Sequence, residues 1–130
     1  MPDFTNNDSV FKAIITLRRM LHAMPETGFY EWKTMEFLIN LLKDTKGSIT
    51  FMSQETAQNL RTLIPKIDKP HKFLGTDVTV TGFKITFNLD PENKKTKKHL
   101  AIRSDIDGLS IPESSDPNHV PARYGFNAVN

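Results

Sequence analysis

The stretch HLAIRSDIDGLSIPE, residues 99–113, constrains the fold more than any other part of the chain. Leu100, Ala101 and Ile102 form an apolar run of the kind that enters a core, yet the run leads to Asp105 and Asp107. A carboxylate taken out of water is costly unless a cation, a hydrogen-bond donor or solvent compensates it. Side chains alternate along an extended chain, so Arg103, Asp105 and Asp107 share one side of a strand. Two accounts are open. Either Arg103 neutralises the acids at a surface strand end, or the acids flank a cation or a catalytic water at the carboxyl end of the strand, where open α/β sheets place ligands. Residue types alone favour the first.

The remaining pattern supplies the elements around that strand. Val10, Phe11, Ile14, Ile15, Leu17 and Leu21 recur at helical spacing behind a cap at Asp8 or Ser9, and Pro25 stops the helix near Met24. PETGFYE is a turn, and Trp32, Met35, Leu38, Ile39 and Leu42 mark one face of a second helix with Gly47 as its C-cap. ITFM, residues 49–52, reads as a short strand, and SQETAQNLRTLI as a third helix capped by Ser53 and stopped by Pro65. PKIDKPHKFLGT, residues 65–76, has no periodicity and reads as a surface connection. DVTVTGFKITFNL alternates, with an irregularity at Gly82; DPEN is a turn, KKTKK a solvated hairpin tip, and HLAIRSDI the second strand of the pair. The chain after Gly108 reads as loop.

Composition excludes several functions. With 17 Lys and Arg against 15 Asp and Glu, the net charge of +2 is too balanced to argue for nucleic acid. The absence of cysteine removes disulfides, cysteine zinc fingers and thiol nucleophiles from these residues. No segment has the form of a signal peptide or a membrane span, so no membrane partner and a cytoplasmic location are expected. His22, His71, His99 and His119 show no metal-binding spacing, and His22, late in the first helix, reads as a packed or C-capping residue. No serine lies in a Gly-x-Ser-x-Gly setting, and no phosphate-binding glycine pattern occurs.

Two separated stretches carry a family resemblance. LRRMLHAMPETGFYEWKT, residues 17–34, resembles the N-terminal signature of metal-dependent amidohydrolases of the aminoacylase and carboxypeptidase clan, through Arg18, Arg19, Leu21, His22, Pro25, Glu26, Gly28, Phe29, Glu31 and Thr34. AIRSDIDGLSIPE is similar to the second signature of that clan through Arg103, Asp105, Asp107, Leu109, Ile111 and Glu113. The tail DPNHVPARYGFNAVN resembles the hippurate and aminobenzoyl-glutamate hydrolase branch. Departures are Ser104, Ile106, Gly108, Ser110 and Ser114, the last standing where the family has a second acid.

The resemblance implies an α/β fold: the N-terminal part of a zinc-exopeptidase-like catalytic domain, with two main helices and a strand pair contributing to a mixed sheet. Residues 1–130 would be a partial catalytic domain, the metal-ligand motifs and the dimerisation or lid domain lying outside it. Asp107 and Asp105 would serve catalysis, Asp107 by orienting a metal-site group, with Arg103, Glu113 and His22 in supporting or structural roles. No residue here is expected to be a metal ligand. The zinc or manganese ion and the N-acyl amino acid substrate would belong to the full-length enzyme, this piece being inactive and binding no metal. The competing expectation is a truncated or degenerate non-enzymatic product, or a small protein-binding module. On either view, poor solubility or self-association through exposed sheet edges is expected.

Overall fold

The computed structural model describes residues 6–60, 69–89, 92 and 99–128. In chain order it contains α1 (Asn7–Ala23), α2 (Trp32–Leu42), β1 (Ser48–Phe51), α3 (Gln54–Asn59), β2 (His71–Phe73), β3 (Thr76–Val78), β4 (Phe83–Thr86) and α4 (Val120–Tyr124). They divide into two compact units. One is continuous, Gly28–Asp107; the other is discontinuous, joining the chain up to Thr27 with the chain from Gly108 onward.

The continuous unit has the apolar core. Met35 and Ile39 of α2 are buried with Phe73 of β2 and Val78 of β3, and Trp32, Ile49, Phe51 and Phe83 pack against them. β1 and β4 pair antiparallel, with Ile49 opposite Ile85 and Phe51 opposite Phe83. β2 and β3 form a separate two-stranded antiparallel hairpin. Its turn residues Leu74 and Gly75 both have positive φ, 48° and 80°, the geometry that matches hairpin twist. The described residues are thus helices with small antiparallel sheets, an α/β composition, and no mixed sheet occurs among them.

Four expectations change in the continuous unit, and elsewhere the chain after Gly108, expected to be loop, forms α4 because Pro121 starts a helical turn that Gly125 ends. The stretch expected to be a connection holds β2, because His71 and Phe73 join the aromatic row of Trp32, whose ring stacks on His71 at 4.0 Å between centroids. The long alternating strand is two strands, split at Gly82 (φ 108°) and assigned to different sheets. Gly47 does not cap α2, since Lys43 does so with its N–H on the Ile39 carbonyl. A Cβ at Gly47 would lie 2.5 Å from Ile85 Cγ1, so glycine is required there for close approach to β4. Finally, HLAIRSDI joins no ladder among the described residues, because the partner of β4 is β1. Leu100 and Ile102 are each 88% exposed as a result. The proposed hairpin tip, residues 94–98, lies outside the described residues, as does the chain between 61 and 68.

α1 begins earlier than the capping pattern suggested. The Asn6 side chain accepts the N–H of Asp8 at 2.9 Å, which leaves Asp8 in the first turn facing the positive end of the helix dipole. Ser53 caps α3 as expected, its hydroxyl accepting the Thr56 N–H at 3.1 Å. α1 has no buried residue among those described.

Candidate functional site

In the discontinuous unit, the chain beyond Gly108 runs back along the end of α1. The Gly108 N–H donates to the Glu26 carbonyl at 2.6 Å, and a Cβ at Gly108 would sit 2.8 Å from Pro25 Cβ, so the approach requires glycine. A cleft of about 270 Å³ lies between residues 25–27 and 109–112. Five residues after Gly108, Glu113 reaches His22, 91 positions away in sequence, and the imidazole Nε2 lies 2.9 Å from Glu113 Oε2.

Glu113 gathers two further donors. His119 Nε2, at the N-cap position of α4, bonds its Oε1, and the main-chain N–H of Ala128 reaches its Oε2 at 3.2 Å. The Glu113 side chain is 17% exposed. The Ala128 N–H and the His119 hydrogen bond, followed by the hydrogen bond and charge of His22, hold the carboxyl below its ordinary value of 4.5 against the opposing effect of burial. Facing an ionised carboxylate, which only accepts, each Nε2 is the donor.

Local sequence explains how α4 and its tail arrive there. Pro121 begins the short helix, Gly125 ends it in the left-handed region at φ 70°, and the Phe126 N–H returns to the Pro121 carbonyl at 3.0 Å. That turn buries Phe126, whose ring meets His22 edge-on at 5.6 Å. Arg19, on the same side of α1, stands over the rings of Tyr124 and Phe126 at 5.1 and 5.2 Å.

Of the residues singled out from the sequence, His22 and Glu113 are therefore brought together. Arg103 and Asp105 also meet, Nη2 to Oδ1 at 2.6 Å, but in open solvent with side chains 87% and 64% exposed. Asp107 is exposed. Among the described residues no group of three or more His, Asp or Glu side chains is arranged to hold a metal ion, and His22 and His119 instead bond the Glu113 carboxylate. His119, Arg19 and the Ala128 amide were not identified as site residues from the sequence. The one available signal was His119-x-Pro121 followed by Gly125-Phe126, which carries the turn that delivers them.

Comparison with known proteins finds N-acetyldiaminopimelate deacetylases. That of Bacillus velezensis is 30% identical over 113 residues, covering 87% of this chain and 23% of the relative. The Bacillus licheniformis enzyme is 32% identical over 117 residues, 89% of this chain and 22% of the relative. For Bacillus pumilus the identity is 34% over 103 residues, 78% of this chain and 20% of the relative. The chain spans about a fifth of the length of the curated relatives it matches. No family model matches it, and no solved structure does so at a significant level. The similarity supports a relationship to amidohydrolases without selecting a branch among them.

Proposed function

We propose that these residues form the N-terminal part of the catalytic domain of a cytoplasmic amidohydrolase that cleaves the amide of an N-acyl amino acid. The observation that carries the reading is the similarity to deacetylases along 78–89% of the chain. The segment 99–107, which joins no ladder among the described residues, fits it as a strand whose sheet partners would lie in the rest of such an enzyme. On this reading Asp107 and Asp105 support metal-site groups from the strand end, Arg103 balances their charge, and zinc or manganese is held by residues outside this chain. Glu113 and His22 fix the chain that leads to those residues.

A chimera tests this directly. Replacing the matched 113-residue segment of the Bacillus velezensis deacetylase with this chain should yield a soluble protein that hydrolyses N-acetyldiaminopimelate. D107N in that chimera should lower turnover about 10- to 100-fold, the range for residues that orient metal ligands. A folded chimera without hydrolysis overturns the reading, and full activity in D107N removes the role given to Asp107. The bare segment also favours a second reading, a non-enzymatic module that binds through an open strand. An inert chimera is its signature.

A further inference from the structure

Asp107 is followed by Gly108, and a glycine after an aspartate leaves the next main-chain nitrogen unshielded by any Cβ. That nitrogen can attack the aspartate side chain. In the reaction the Gly108 nitrogen bonds to Asp107 Cγ, one Cγ–O bond breaks, and the oxygen leaves as water with the carboxyl proton and the amide proton. A cyclic imide results. Water then cleaves the bond between the Asp107 main-chain carbonyl carbon and the Gly108 nitrogen, so the chain continues through Cγ as isoaspartate, longer by a methylene and unchanged in mass.

One contact in the fold both imposes this hazard and answers it. A Cβ at residue 108 would lie 2.8 Å from Pro25 Cβ and 3.3 Å from Pro25 Cα, so the approach to the end of α1 forces an Asp-Gly pair on the chain. At the next position, the Glu26 carbonyl takes the Gly108 N–H at 2.6 Å. The proton that must leave is held, and the peptide group is fixed against the rotation that ring closure requires. Asp107 itself is exposed, so the hydrogen bond at Gly108, and not burial of the carboxyl, is the restraint. We propose that Asp107 is a latent isomerisation site, kept silent by the hydrogen bond from Gly108 to Glu26 and opened when residues 108–113 lift from the end of α1. The bond between Glu113 and His22 holds those residues down, so loosening it should release the reaction. The inference does not rest on the amidohydrolase reading, because its readout is main-chain connectivity and not turnover.

The test incubates the full 130-residue chain at neutral pH, folded or unfolded in guanidinium, and separates aspartate from isoaspartate at residue 107 by electron-transfer fragmentation. Isoaspartate should form roughly tenfold or more slowly in the folded chain, because the reaction follows the population of the open form. His22→Ala removes the partner of Glu113 and should raise the folded rate several-fold while leaving the unfolded rate unchanged. D107N is a faster probe that needs no change at the clasp, since it closes the same ring with loss of ammonia. Amide exchange reads the restraint itself: the Gly108 N–H should be protected, and should lose protection in His22→Ala. Circular dichroism verifies that each variant stays folded. Equal folded and unfolded rates, in the wild type or in D107N, overturn the proposal. So does an unprotected Gly108 amide beside a stable Asp107, which would give the stability another cause. A His22→Ala chain that gains exchange at Gly108 without gaining isoaspartate overturns it as well.

Discussion

The two units cohere by different means. In the continuous unit, Met35, Ile39, Phe73 and Val78 exclude water from one another, a contribution that depends on area and has no direction. In the discontinuous unit α1 buries no residue, and the chain is pinned by one carboxylate that accepts two imidazole N–H groups and a main-chain N–H. Directional contacts of that kind depend on protonation and on each partner being present. The first unit should therefore respond to volume, and the second to charge.

The largest expected effect is in the apolar core. Met35→Ala removes a side chain that is fully buried and should cost about 2–5 kcal/mol, read as a lower urea midpoint for the continuous unit. Next is the one buried carboxylate described in that unit, Glu31, which accepts the Thr81 hydroxyl. Thr81→Val keeps the shape and removes the donor, with an expected loss of about 1–3 kcal/mol. A loss below a few tenths would show that this unit does not depend on its polar contact, and would sharpen the contrast.

In the discontinuous unit, His119→Ala should cost about 1 kcal/mol, the charged hydrogen bond being partly exposed to solvent. Its readout is faster amide exchange at residues 119–128. Acid should act on the same segment. Glu113 titrates below its ordinary value of 4.5 in the folded chain, so its contribution is fully present above that pH and is lost as pH falls through the depressed folded value. Amide signals of residues 119–128 should shift in that acid window and lose the shift in Glu113→Gln. Equal acid sensitivity in both units would break the comparison. The smallest effect on monomer stability is Arg103→Ala, within about 0.5 kcal/mol, because its ion pair is exposed and screened.

Much of the fold was legible where periodicity or capping chemistry decides it. The apolar spacing of α1 and α2, the Ser53 cap and the break at Gly82 are all local properties, readable one segment at a time. What escaped depends on distant partners. β2 forms because Trp32 and Phe73 need each other, and Gly47 is glycine because Ile85 passes over it. Residues 99–107 have the pattern of a strand, yet a strand exists only with a neighbour, and β4 is already paired with β1. Within the site, His22 and Glu113 could be named separately from the resemblance. Their meeting, and the part of His119, follow from the backbone approach at Gly108 and the turn at Gly125.

The nesting of one unit within the other has a consequence during synthesis. His22 leaves the ribosome early, whereas Glu113 follows 91 residues later and Ala128 later still. All of the continuous unit is translated in between and can fold first. The carboxylate clasp therefore closes after that unit, across a long chain separation, and α1 gains its contact with Glu113 only then.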